Sequence, residues 1–194
     1  MSQACHNLLL SSVTTYYQKR SEYQKQLSMV IKGLSPISLR LIDWFVTHYA
    51  QSNNVLYWIN DQTNEMTEEY PNNGGSHIRK FNLYLDYRAQ LKSYTKLYFD
   101  CFRRHERITF VIEQEPLKTL ETTVGQLNFF RWAFQNHVLE YIMNHLSEIE
   151  QAMAKYQKNL KKNQTIDNET AKSKEGGKSS INMVIRAPCH VRFD

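Results

Sequence analysis

Between Phe81 and Phe110 a single periodicity limits what this chain is able to fold into. Tyr84, Tyr87, Leu91, Tyr94, Tyr98 and Cys101 recur at alternating steps of three and four, the spacing of a helix with one buried stripe. The spacing predicts a helix over residues 80–105 around which the rest of the chain is arranged. Beside the stripe, Arg88, Lys92 and Lys96 stand at i,i+4 and stack on a neighbouring face. The same helix is expected to run on into Arg103, Arg104 and Arg107. Residues 79–107 hold eight Lys or Arg against three Asp or Glu, a surplus equal to the net charge of +5 of the whole chain.

Three further helices are expected. Residues 11–32 direct Tyr16, Tyr23, Leu27 and Val30 inward, and Gly33 suits the C′ position. Ser35-Pro36 reads as an N-cap with Pro at the first helical position, opening a helix over 36–50 that buries Leu39, Ile42, Phe45, Val46 and Tyr49. Thr123 and Gln126 have the spacing of a capping box. They precede a helix over 124–156, whose buried face is Leu127, Phe130, Phe134, Val138, Tyr141, His145 and Ile149.

Residues 55–59 and 108–112 are short, apolar and rich in β-branched or aromatic side chains, so they read as strands. Residues 61–76 are acidic, contain Pro71 and Gly74-Gly75, and read as a surface loop. Apolar residues nearly vanish over 157–180, which reads as a disordered linker. Residues 181–194 turn apolar again and are expected to dock as a C-terminal strand. The expected fold is therefore mainly α: four main helices with one small β-sheet of short strands. Its domains would be a helical core over 1–156, the linker 157–180 and the docking segment 181–194.

Six glycines and four prolines in 194 residues are too few for a turn-rich barrel. The longest apolar runs are far below the roughly 18–20 residues that cross a bilayer, so no membrane is expected as a partner and the chain reads as soluble and intracellular. Three widely spaced cysteines imply no disulfide framework.

Three stretches carry a resemblance: ISLRLIDWFVTHYA (37–50), FNLYLDYRAQLKSYTKLYFDCFRRHERI (81–108) and TTVGQLNFFRWAFQNHVLEYI (122–142). They are similar to a family of uncharacterised proteins of nucleocytoplasmic large DNA viruses, over about two-thirds of the chain. The resemblance brings no functional residues with it. It implies a viral protein acting in the host cell cytoplasm, in the viral factory or the virion, at replication, transcription or particle assembly.

The chemistry legible in the residues is charge. Arg88, Lys92, Lys96, Arg103, Arg104 and Arg107 are expected to contact phosphates, with Phe102 or Tyr98 as stacking surface and Arg131 as a further cation between aromatics. The opposing reading is a solvated face paired with the acidic stretch 108–150. Phe129, Phe130 and Trp132 keep a helical period and read as core, with Arg131 pointing outward or pairing with Asp43 or Glu140. Cys101 and His105 stand at i,i+4, and His137, His145, Cys189 and His190 are further candidate ligands. Close ligand pairs such as C-x₂-C do not occur, so no metal is expected. Gly176-Gly177-Lys178-Ser179 lacks the upstream glycine of a P-loop, and no other catalytic motif occurs. The expectation is a non-enzymatic factor, without cofactor, that associates with nucleic acid. The alternative is a structural or adaptor protein that forms homo-oligomers or binds a viral protein partner, for which the many Tyr and Phe would serve.

Overall fold

The computed structural model describes residues 3–71, 77–113 and 118–173. The chain divides into two units, Met1–Ala154 and Lys155–Asp194. The first begins with α1 (Gln3–Gln18) and α2 (Ser21–Ile31). Next come α3 (Leu39–Trp44), a π-helical turn (Phe45–Tyr49) and α4 (Ala50–Ser52), which run on as one continuous helix. Strands β1 (Leu56–Asn60), β2 (Glu65–Thr67) and β3 (Ile78–Asn82) precede α5 (Leu83–Tyr98). Then follow β4 (Ile108–Glu113), β5 (Lys118–Thr122), α6 (Val124–Gln135), α7 (Val138–Asn144) and α8 (Leu146–Ser173). The described residues are mainly helical, with seven helices rather than four main ones.

The extra helices arise at breaks that a stripe count cannot register. Between α1 and α2 the chain leaves helical geometry at Arg20 (φ −142°, ψ 72°). The stripe of 124–156 is interrupted at His137, which adopts a left-handed conformation (φ 56°), and again at His145. Leu127, Phe130, Phe134, Val138 and Ile149 are nonetheless all buried, because each new helix resumes with the same face inward.

Capping explains the remaining shifts. Ser38, not Ser35, caps α3: its Oγ accepts from the Leu41 amide at 3.1 Å. Ser35 instead accepts from the Ile37 amide and shapes the turn before it. Gly33 does end α2 in the left-handed region at φ +70°, with the Leu34 amide bonded back to Met29 O. Residues 80–82 of the expected long helix are strand, because Ile78–Asn82 pairs with β1; Asn82 then caps α5 by accepting from the Leu85 amide. At its far end α5 is kinked at Thr95 (φ 59°, ψ 170°) and stops at Tyr98, so Arg103, Arg104 and Arg107 are not helical.

The strands form two sheets, not one. The order β2-β1-β3 is antiparallel throughout, with Ile59 opposite Met66 and Tyr57 opposite Phe81. β2 lies inside the stretch read as a loop. The strand expected at 108–112 is β4, which among the described residues pairs with β5 alone, placing Phe110 opposite Leu120. The C-terminal strand expected in 181–194 lies outside the described residues. Residues 157–173, expected as linker, belong to α8; their Lys, Gln and Glu are straight-chain helix formers even without an apolar face. Residues 174–180 again lie outside the described residues.

The core centres on α6. Ten of its twelve residues are buried, which makes it a central helix rather than a one-sided one. It packs against both α1 and α5. The Tyr17 hydroxyl donates to Leu127 O at 3.0 Å, and Tyr23 stacks on Phe134 with ring centres 4.6 Å apart. Residues 97–101 lie across the start of α6. Asn128 Nδ2 donates to Tyr98 O, Gln126 Nε2 to Cys101 O and the Asp100 amide to Gly125 O. A side chain at Gly125 would put its Cβ 2.8 Å from Leu97 O. The expected capping box is therefore half realised. Thr123 accepts from the Gln126 amide at 3.0 Å, but the Gln126 side chain serves Thr122 and Cys101 instead.

Burial is the largest cause pushing up the hydroxyls of Tyr17, Tyr57 and Tyr87 from their ordinary value of 10.0, that of Tyr87 to about 12. Folding favours their protonated forms, so the stability they contribute is fully present below about pH 10 and is lost above it. Urea unfolding is expected to give a declining free energy from about pH 9 towards about pH 11, as the buried Cys101 thiol and then these hydroxyls become ionisable on unfolding. A flat profile to pH 11 would mean that these hydroxyls are hydrated.

Candidate nucleic-acid interface

The candidate cations fall into three environments. On α5, Arg88, Lys92 and Lys96 are exposed and form no ion pair with any described residue. Arg88 and Lys92 share one face of regular helix, whereas Lys96 follows the kink at Thr95. Lys96 and Arg104 both lower the pKa of Asp43, against the larger upward effect of burial.

The second environment is the exposed segment 103–107. Here the cations are already engaged. Arg103 and Arg107 both donate to Glu121 Oε1 on β5, at 3.1 and 2.9 Å, as the opposing reading of the acidic stretch anticipated for these two. Arg104 Nε lies 3.2 Å from the buried carboxylate of Asp100, and its guanidinium sits 4.8 Å over the Phe102 ring. Asp100 itself shapes the turn, accepting from the Phe102 amide. Exposed pairs of this kind contribute little to stability, but each must open before the arginine can grip a phosphate. Of the two stacking candidates, Tyr98 is buried and meets His6 edge-on, while Phe102 is half-buried beneath Arg104.

Arg131 stands apart from both groups. It pairs with neither Asp43 nor Glu140; it donates to Ser12 Oγ on α1 at 3.0 Å and to Asn128 Oδ1 at 2.6 Å. Phe129, Phe130 and Trp132 around it are core. Glu121, Lys19 and Arg20 were not singled out in the sequence, and no local pattern marks them. Glu121 acts across the β4–β5 pair, and the other two flank a helix break.

The Cys101 and His residues have other partners. The Cys101 thiol is buried, donating towards Leu39 O and Asp43 Oδ1, each at 3.8 Å, while His105 is exposed. Burial, then the nearby Asp43 and Asp100, push the thiol well above its ordinary value of 9.0, the reverse of what a nucleophile needs. His137 Nδ1 lies 2.7 Å from Glu140, and His145 Nε2 2.7 Å from Glu68. Among the described residues no group of three or more His, Cys, Asp or Glu is placed to hold a metal ion. A thiol reagent is expected to label exposed Cys5 in the native chain and to reach Cys101 only after denaturation, as peptide mapping by mass spectrometry would report. Native labelling of Cys101 at the rate of Cys5 would contradict this packing.

No helix among the described residues is long and apolar enough to cross a membrane. A model described as "Family of unknown function (DUF7197)" matches residues 3–187. Among curated proteins, "Uncharacterized protein L507" of Acanthamoeba polyphaga mimivirus is 31% identical over 148 residues, covering 75% of this chain and 52% of the relative. The chain thus spans about half the length of that relative. No solved structure matches it.

Proposed function

The chain belongs to the family of unknown function DUF7197, and on that premise we propose that it is a non-enzymatic viral factor that associates with nucleic acid through the basic surface of α5 and the 103–107 segment. The observation that supports this reading best is the row of exposed cations that form no ion pair among the described residues, Arg88, Lys92 and Lys96. Duplex DNA is the natural polyanion for such a row, because its phosphates repeat along the axis and need no base-specific donor. The site of action in this reading is the cytoplasmic viral factory of the infected cell, during replication, transcription or packaging.

A second reading, an adaptor or homo-oligomer in virion assembly, draws on Leu85 and Leu97. Both are exposed on α5, Leu85 at 65%, and an exposed leucine beside aromatics suits a protein interface. Purification at low salt separates the two readings. Co-purified nucleic acid, seen as a raised ratio of absorbance at 260 to 280 nm, favours the first. Clean protein eluting as a dimer or larger, with no affinity for duplex DNA at low salt, favours the second and ends the first.

The ion pairs at Glu121 supply a sharper expectation. Wild-type binding should weaken with salt at a log–log slope of about −3 to −4.5, corresponding to three to five phosphate contacts. Glu121→Gln releases Arg103 and Arg107 and should steepen that slope by about one to two units. An unchanged or flatter slope would show that these arginines do not face the DNA.

A further inference from the structure

Arg131 leads to a second anion site, remote from the α5 face. It opens on a cavity of about 510 Å³, within the range of small-ligand pockets. Lys19 and Arg20 come to it from the α1–α2 break, Gln90 and Tyr94 from α5, and Arg131 from α6. The three cations therefore come from two places in the chain, and no Asp or Glu among the described residues lines the cavity. The nearby Asp86 does not line it, but accepts from the indole of Trp132, which does, at 2.6 Å.

The two arginines are held rather than loose. Arg131 spends two of its five N–H donors on Ser12 and Asn128, which fixes the guanidinium and leaves the others free. Arg20 lies over the Tyr16 ring, its Cζ 4.4 Å from the centroid, and bonds back to Tyr16 O. The Tyr16 hydroxyl is buried without a hydrogen-bond partner among the described residues, although Tyr16 lines the same cavity. An orphaned buried hydroxyl costs free energy unless something accepts from it. Arg20 and Arg131 line the same cavity as Tyr16.

We propose that this cavity binds a small phosphomonoester, its dianionic phosphate held by Arg131, Arg20 and Lys19. Guanidinium forks match phosphate oxygens in two-point contact. The carboxamides of Gln90 and Gln135 and the Tyr94 ring are placed to receive a polar, flat body attached to that phosphate. The ligand is a small molecule rather than a duplex, because the cations sit in a recess and not along a ridge. Gln90 and Tyr94 also point away from Arg88 and Lys92, since two residues along a helix are roughly 200° apart about its axis. The site is thus independent of the proposed nucleic-acid face.

The test is isothermal titration of the full chain at low salt with adenosine 5′-monophosphate, inorganic phosphate and adenosine. The monophosphate is expected to saturate the chain, inorganic phosphate to bind more weakly, and adenosine to give no measurable binding. Arg131→Gln should weaken the monophosphate by about tenfold or more, since it removes charge-assisted hydrogen bonds. Lys19→Glu, at an exposed residue, should weaken it by at least about threefold. The log–log salt slope of duplex DNA binding, read in the Lys19→Glu variant, should not change. If Arg131→Gln lowers the melting temperature sharply, Lys19→Glu decides alone. Adenosine binding as tightly as its monophosphate overturns the proposal. So does the absence of saturable monophosphate binding, or binding that is lost in Arg88→Gln/Lys92→Gln and kept in the Lys19 and Arg131 variants.

Discussion

Replacing Phe99 by alanine should destabilise the fold by about 3–5 kcal/mol, the range for removing a buried aromatic ring. Phe99 is fully buried where α5 ends and the chain crosses the start of α6. Its ring lies 5.3 Å from Phe129, 5.4 Å from Trp132 and 6.0 Å from Tyr87, so one truncation opens a void against two helices at once. At roughly 2–4 °C per kcal/mol for a chain of this size, the melting temperature should fall by about 6–20 °C. Phe99→Leu should recover much of the loss, because it refills volume without restoring the aromatic contacts. Leu85→Ala, on an exposed face of the same helix, should cost under about 0.5 kcal/mol. A loss below about 1 kcal/mol for Phe99→Ala would mean that α5 and α6 are not joined through this ring.

Phe99 also illustrates where the sequence stops being readable. Tyr87, Tyr98 and Cys101 stand on the predicted stripe and are buried. Phe99, one step off the stripe, is buried too, because α5 has ended and an extended residue (φ −152°, ψ 85°) turns the ring inward. Periodicity assumes one axis, and here the axis stops. The same limit concealed the breaks at Arg20 and His137, while leaving Phe130, Phe134 and Val138 correctly identified as core. β3 was hidden for another reason: in IRKFN the charged Arg79 and Lys80 obscure the alternation, and only pairing with β1 makes it a strand.

The candidate interface was legible as composition but not as geometry. Counting charges finds all seven cations. It does not reveal that Glu121 holds two of them, that Asp100 holds a third, or that Arg131 faces α1. Those are contacts between residues from 3 to 119 positions apart. Lys19 and Arg20 escaped notice because their site is assembled from three elements, none with a motif of its own.

Removing the α5 cations should therefore have a larger effect on DNA binding than removing the arginines already in ion pairs. Arg88→Gln/Lys92→Gln/Lys96→Gln deletes three exposed charges with no ion pair among the described residues, so the fold should keep its melting temperature. If all three meet phosphates, the log–log salt slope should flatten by about two to three units from its initial value of about −3 to −4.5. Arg103→Gln/Arg107→Gln, by contrast, removes two cations that share the one carboxylate of Glu121 in the free protein. Its effect should be smaller, within about one unit. The decisive measurement is thus the salt dependence of duplex DNA affinity for these two variants beside the wild-type chain. A much flatter slope in the α5 variant, with its melting temperature kept, is the predicted result. A wild-type slope in the α5 variant, or no binding by wild-type protein at low salt, would contradict the assignment of α5 as the nucleic-acid surface.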